Sequence, residues 1–548
     1  MYVAPERMVR PIADLAADLG LEPAEVEPHG NHAAKIDLSA LDRLSTKADG
    51  KLVCVTALTP TKAGEGKTTT AISLADAFGS LGDRVALCLR EPSLGPVFGI
   101  KGGGTGGGRA QVVPPELVNL HFTGDIHAIG AANNLLAAMV ESHLQHGNEL
   151  GIDPRSITWR RCLDMDDRAL RQVVVGLGGR ANGIPRETGF DITAASEVMA
   201  ILAISRDLPD LRRRLGQITI GSTAAGLPVT AEDIRAAGAM AALLVDALKP
   251  NLVQTLEGSP AIVHCGPFAN IAHGNNSLVA DAIGLKVADF VVTESGFGAD
   301  MGFEKLVDIV CRSALFAPSA VVVVATTQAL KHHGGDPNGG LPALERGAAN
   351  LAENLRIVGE LGFEAVVAVN RFPGDSSSEV DAVRRLALEQ GAFAAEVNDG
   401  FERGGEGATA LAEAVKAAAA TPGRLRLTYD DADPLVRKLE AVATKIYGAD
   451  GVELSPAAAR QAGQLDAAGL GTLPVCMAKT HLSLSHDPTL IGAPKGFTLP
   501  IRELRPYTGA GWIVAVCGDM QTMPGLPRDP AAFRIDVDVE TGKITGLR

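Results

Sequence analysis

Aromatic residues are scarce in this chain, only 4% of 548 residues, with two tryptophans and four tyrosines. Rings cannot build a core of this size, so the interior must be aliphatic. The 46% hydrophobic content, rich in Val, Leu, Ile and Ala, suits buried parallel strands covered by helices. Cysteine is sparse as well. The seven cysteines are scattered, with no Cys-x-x-Cys pair and no Cys/His spacing of a zinc site. Most lie in apolar runs and read as ordinary core residues of a reducing compartment. No apolar run reaches the roughly 18–20 residues of a membrane span. No apolar segment follows the charged Met1–Arg10, which predicts no secretory leader and a cytoplasmic location. Basic charge is in deficit: the net charge of −14 argues against nucleic-acid or acidic-membrane partners but leaves anionic small ligands open. Internal repeats, heptads and low-complexity tails are all missing. The length predicts roughly three to four domains.

What is present is a phosphate loop in context. Leu52-Val53-Cys54-Val55 reads as a buried strand, Thr59 to Gly66 as a turn, and Lys67 to about Leu81 as a helix. A glycine-rich turn between strand and helix aims backbone N–H groups at an anion, and the helix dipole adds to the attraction. The loop predicts ATP contacts from Thr61, Gly64, Glu65, Gly66, Lys67, Thr68 and Thr69. Lys67 would reach the β/γ-phosphates and the Thr68 hydroxyl would hold Mg²⁺. The match is to Gly66-Lys67-Thr68, since Thr61 stands where the full motif has glycine.

Further strands are predicted at Arg84–Leu89, Phe290–Thr293, Ala320–Val324 and Ala365–Asn370. Helix-length segments separate them, which implies right-handed crossovers and a parallel sheet. Ligands in such sheets gather beyond the carboxyl ends of strands. Arg90 and Glu91 are placed there, and the later strands end in polar or glycine loops, among them Glu294–Asp300 and Asn370–Asp375. Gly102–Gly108 holds six glycines in seven residues and predicts a backbone that approaches a ligand closely. His121, His127 and His143 fit no common metal-ligand spacing and read as the polar lining of a cleft. Residues 1–50 read as helical and peripheral, residues 330–350 as a long loop, and Gly400–Gly407 as a glycine loop entered through Phe401. Beyond 423, helices near 434–447 and 455–468 precede a β-rich end that includes Gly511–Val516.

These stretches, in order, resemble formate–tetrahydrofolate ligases. The carrying segments are Thr59–Thr70, Cys88–Gly108, Val112–His127, Ile157–Arg161, Gly183–Glu197, Lys249–Leu256, Gly266–Gly274, Val291–Asp300, Tyr447–Gly451 and Thr522–Pro527. The resemblance implies a P-loop NTPase-like α/β fold: a parallel sheet flanked by helices, with additional smaller α/β domains. The expected division is 1–330 for the nucleotide with an N-terminal helical extension, 331–422 for the folate side, and 423–548 for a C-terminal α+β domain. It also implies ATP with Mg²⁺, a monovalent cation (K⁺ or NH₄⁺), formate and tetrahydrofolate as partners, and a homotetramer. Three residues depart from the family pattern: Arg109 for a tyrosine, Gln328 for an arginine, and Phe401 for a tryptophan.

The chemistry assigns roles. A carboxylate is a poor acyl donor until phosphorylation gives it a leaving group, so the first step is phosphoryl transfer, a matter of positioning and charge neutralisation. Lys67 suits the transferring group, and the Arg90 fork suits formate and formyl phosphate. Attack by the folate N10 then releases a proton. Asp125 is either its acceptor or orienter, with His127 nearby, or a turn former after Gly124. Phe372 and Phe401 could sandwich the pterin, with Glu91 and Pro373 completing the folate set. Two other readings remain: a regulatory ATPase of the deviant P-loop kind, suggested by the second lysine Lys62, and a folate-binding protein with reduced catalysis.

Overall fold

The computed structural model describes residues 9–62, 64–314, 316–518 and 520–547; Ala63, inside the expected nucleotide loop, and residues 1–8 lie outside the described residues. Parallel strands form the centre. In spatial order they are Pro260–Val263, Val85–Leu89, Phe290–Glu294, Lys51–Ala57, Pro318–Thr326, Ala365–Asn370 and Ala394–Asn398. Every adjacent pair in that run is parallel. The aliphatic run of Pro318–Thr326 is buried at nearly every position, as a strand covered on both faces requires.

Side-chain alternation divides the sheet between cores. Val53 and Val55 face a core shared with Ala71, Leu74 and Phe78 of the helix Lys67–Ser80, where Phe78 stacks on Phe290 at 4.5 Å. Cys54 faces the opposite side, into a core that also contains Val321, Leu351, Tyr447, Met477 and Ile513. The C-terminal residues therefore share a continuous core with the central sheet. They form a four-stranded sheet ordered Gly451–Leu454, Thr498–Tyr507, Trp512–Cys517, Val475–Ala478. The fold is thus mixed α/β, with a large parallel-rich sheet flanked by helices. Strands 365–370 and 394–398, from the segment expected on the folate side, continue the central sheet.

Three local expectations are corrected. Within residues 9–50 the helices are short, and Val26–His29 and Ala33–Ile36 form an antiparallel hairpin on the sheet edge, where Lys35 pairs with Asn251. Burial of the strand Ala33–Ile36 on that edge outweighs the Ala- and Glu-rich composition read as helical. Residues 330–350 are mostly helical, in Thr327–His333 and Leu341–Glu360. Pro342 sits in the first helical turn, where no N–H is needed, and Gly347 is set against the Leu330 carbonyl, where a Cβ would collide. Gly400–Arg403 is likewise a single helical turn, followed by a 3-10 turn through Ala408.

Candidate active site

The strand Lys51–Ala57 ends at the centre of the sheet, and the helix Lys67–Ser80 begins after Gly66. Gly66 adopts φ 73°, and a Cβ there would lie 2.9 Å from Asn370 Nδ2, so glycine is required twice over. Glu65 is turned inward. Its Oε1 accepts from Thr61 N at 2.8 Å and its Oε2 from the Thr326 hydroxyl at 2.6 Å. Asn370 Nδ2 donates to the Glu65 carbonyl at 2.8 Å. The loop is thereby fixed to the ends of two neighbouring strands. Gly64, at φ 80°, and Thr69 complete the accessible edge of the loop.

Charge converges beside it. Glu294, the last residue of its strand, accepts from the Thr68 hydroxyl at 2.8 Å and pairs with Arg90 Nη2 at 3.4 Å. Burial alone would raise the Glu294 carboxyl, but Arg90, the Thr68 hydrogen bond, Lys67 and Lys101 outweigh it and hold the carboxyl below its ordinary value. Lys67, half-buried, has its ammonium lowered to about 8 by desolvation first; Glu294 resists that shift, and Lys101 and Arg90 reinforce it. The Lys101 ammonium is lowered by desolvation and then by Arg90, on a residue that is exposed overall. Buried Arg90 Nε has no hydrogen-bond partner among the described residues. Three cations thus converge on the carboxylate of Glu294, with Glu65 also in the field of Lys67.

The remaining predicted residues divide. Glu91, 5% exposed, lies just past the same strand end as Arg90; its Oε2 lacks a partner. Burial, and then the Asp125 charge, push its carboxyl well above the ordinary value. Asp125 opens the helix Asp125–Gln145 and is fully engaged: Lys35 Nζ donates at 2.7 Å and Asn251 Nδ2 at 2.7 Å. His127 is exposed and pairs with His121 at 2.9 Å between ring nitrogens, so the structure does not bring it to Asp125. Phe372 and Phe401 follow neighbouring parallel strands whose last residues, Asn370 and Asn398, are in register. Phe372 faces the nucleotide loop, with its ring edge 4.0 Å from a Cβ built on Gly66, and Pro373 beside it is exposed. Phe401 is 49% exposed and covers the glycine run, 3.2 Å from a Cβ built on Gly107. Its carbonyl accepts from Arg109 N at 2.9 Å. Close contact with Phe401 is thus one reason for the glycines.

Reading the sequence left out Glu294 and Lys101 as site residues. Glu294 begins a loop at a strand end and Lys101 immediately precedes the glycines, so both carried a positional signal. Phe297 and His481, which stack at 4.2 Å, carried almost none, being far apart in the chain.

A family model described as formate–tetrahydrofolate ligase matches residues 1–548. The chain is 55% identical to a protein of that name from Saccharopolyspora erythraea, over 98% of this chain and 97% of the relative. It is 54% identical to one from Roseiflexus sp. (strain RS-1), over 100% of this chain and 99% of the relative. It is 53% identical to one from Cutibacterium acnes, with the same coverage. The match runs the length of the chain rather than through the nucleotide loop alone, and the chain belongs to the formate–tetrahydrofolate ligase family.

Proposed function

We propose that this site joins formate to tetrahydrofolate at the expense of ATP, through formyl phosphate held by Arg90. The observation that carries this reading is the convergence of Lys67, Lys101 and Arg90 on one carboxylate, Glu294. Such an excess of positive charge in a partly desolvated place is complementary to a polyanion whose charge is redistributed during reaction. The strand–loop–helix of Lys51–Ser80, with its left-handed Gly66, supports a P-loop NTPase-like reading of the fold.

A formate oxygen attacks the γ-phosphorus, and ADP leaves with the electron pair of the β–γ bridging bond. Lys67 and Arg90 offset the charge on the transferring group. The folate N10 then attacks the formyl carbon, phosphate leaves, and the amine proton must depart. Asp125 has both oxygens occupied and serves as an orienter, while the Glu91 carboxyl beside it has the unengaged oxygen. Asp164 lies within the field of both Glu91 and His127, which supports His127 as the outlet to solvent. Phe372 and Phe401, with Pro373, bracket the pterin.

The Thr68 hydroxyl spends its proton on Glu294 and keeps its lone pairs for Mg²⁺, which would neutralise phosphate charge. A monovalent cation, K⁺ or NH₄⁺, is what the family resemblance implies. The segment 331–422 supplies the folate side and 423–548 a wall of the site. Exposed Val174, Leu177 and Ile184 support self-association, and the family resemblance supports a tetramer. Seven unpaired cysteines suit the cytoplasm. Among the described residues no helix is long and apolar enough to cross a membrane. The deciding experiment measures ADP release with formate, tetrahydrofolate or ATP omitted in turn. Release that persists without formate and folate refutes the ligase reading.

A further inference from the structure

Phe401 heads a loop that leaves the sheet after the strand Ala394–Asn398, and hydrogen bonds tie that loop down on either side of the ring. Before it, Gly400 N donates to Asn398 Oδ1 at 3.1 Å. After it, Gly405 N donates to Glu257 Oε2 at 3.1 Å. A Cβ on Gly404, which has φ 61°, would collide with the other Glu257 oxygen, so the chain crosses this carboxylate on bare glycine. Between these ties the Phe401 carbonyl accepts from Arg109 N, and Arg109 Nη2 reaches back to Glu257 Oε1 at 3.5 Å. One carboxylate thus joins the two segments that flank the Phe401 ring, its own loop and the end of the glycine run.

Glu257 has a firm base. It sits in the turn between the strands Asn251–Thr255 and Pro260–Val263. Leu256 N donates at 2.7 Å to the carbonyl of Gln111, two residues past Arg109. The Thr255 hydroxyl donates at 2.6 Å to buried Asp76, on the helix that carries Lys67. Phe401 has no such base of its own. Its ring lies over Gly107 and Gly108, which offer no side chains to grip it. Backbone ties must therefore set where the ring stands.

We propose that Glu257 and Arg109 are positioning residues for folate: the carboxylate clamps Gly405 and the Arg109 guanidinium, and so holds the Phe401 ring at the spacing that admits the pterin. This rests on the reading of Phe401 as a stacking ring. The two arms of the clamp differ in strength. The Gly405 arm is a charge-assisted hydrogen bond to a buried residue. The Arg109 arm is long, and its guanidinium side chain is 53% exposed, so it is the weaker one. Arg109 stands where the family pattern has tyrosine, which makes the second arm in this chain an ionic one.

The test uses Glu257→Ala, Glu257→Gln and Arg109→Gln in the full-length enzyme, each with and without Phe401→Ala. A hydrogen bond to a charged group is worth roughly tenfold or more, so amide exchange at Gly405 should quicken by at least about tenfold in Glu257→Ala. Displacing the ring can cost no more than its stacking, so the KM for tetrahydrofolate should rise about two- to tenfold, with kcat and the KM for ATP held within about twofold. Glu257→Gln keeps an acceptor for Gly405 and should fall between Glu257→Ala and wild type. Arg109→Gln should cost at most about fivefold. In the Phe401→Ala background none of the three should raise the folate KM further, because the clamp then has no ring to place. Additive effects of Glu257→Ala and Phe401→Ala overturn the proposal, as does unchanged exchange at Gly405. A KM for ATP that rises in step with that for folate marks general damage and also overturns it. Should Glu257→Ala fail to fold, Arg109→Gln, at an exposed position, carries the same comparison. A folate KM raised by Phe401→Ala but not by Glu257→Ala defeats the clamp alone, whereas no effect of Phe401→Ala defeats the stacking reading beneath it.

Discussion

The ammonium of Lys67 sits low enough to titrate in an accessible range, and ATP binding should report it. Lowered to about 8 by desolvation and by its cationic neighbours, it is about nine-tenths protonated at pH 7 and about one-tenth at pH 9. A polyphosphate binds the protonated form. The apparent Kd for ATP should therefore hold steady to about pH 7.5 and then weaken, reaching about tenfold by pH 9, or about 1.4 kcal/mol. The second ionisation of a phosphate monoester, near about pH 6, is complete over this range, so the ligand adds no trend of its own. Glu294 is the largest influence holding the Lys67 value up, so Glu294→Gln should move the break to lower pH. Lys67→Arg, which keeps its charge throughout, should weaken binding but flatten the curve. Titration calorimetry without formate gives these constants directly. A wild-type Kd that is flat to pH 9.5 refutes the reasoning, and a bend that survives in Lys67→Arg assigns the titration to another group such as Lys101.

Arg90→Lys should fail to restore the formate-dependent rate lost in Arg90→Ser, because an ammonium cannot form the two-pronged contact; equal rates in the lysine variant and wild type would refute this. Lys35→Ala should destabilise the protein by about 3–5 kcal/mol in urea unfolding, since it leaves the buried Asp125 carboxylate without its cation. Burial raises the Asp210 carboxyl, but Arg214, Arg213 and the Arg206 N–H outweigh it and hold it at about 2. Its stabilisation is therefore complete above the unfolded value near 3.8 and lost as pH falls toward 2, so Asp210→Asn should cost about 2 kcal/mol at neutral pH and almost nothing near pH 2. Phe401→Ala should raise the KM for tetrahydrofolate while sparing ATP, and Phe401→Trp should leave folate affinity equal or tighter by up to about 1 kcal/mol; equal effects on both substrates would signal a folding defect.

Much of the expected nucleotide loop was legible because it is local. A strand, a glycine turn and a helix with its lysine at the N-terminus lie within thirty residues (Lys51–Ser80), and each has a residue-level signature. The later strands were equally plain, since a strand buried on both faces must read as a continuous aliphatic run. Signals failed where neighbours in space overruled composition. The hairpin Val26–Ile36 is fixed by its pairing to a strand more than two hundred residues later. The helix Leu341–Glu360 was hidden by Pro342 and Gly347, each of which is compatible with its own place in that helix.

The site was half legible for a related reason. Strand ends announce themselves, so Arg90, Glu91 and Phe372 could be placed from the order of the strands alone. What they meet could not. Asp125 looked available as a proton acceptor because its neighbours in sequence are a glycine and a histidine. In space its neighbours are Lys35 and Asn251, and these occupy both of its oxygens. The same logic reversed hides His481, which has no motif around it. It enters the field of Lys101 and Lys67 only because the C-terminal sheet shares a core with the central one, and that docking brings Lys479 to Asp300. An ion pair buried at both ends gains little net stability over an apolar contact of equal size, yet strongly penalises misplacement of either partner. Its value here is positional: it fixes where the C-terminal segment may sit, and so fixes the ring that faces the cations of the nucleotide loop.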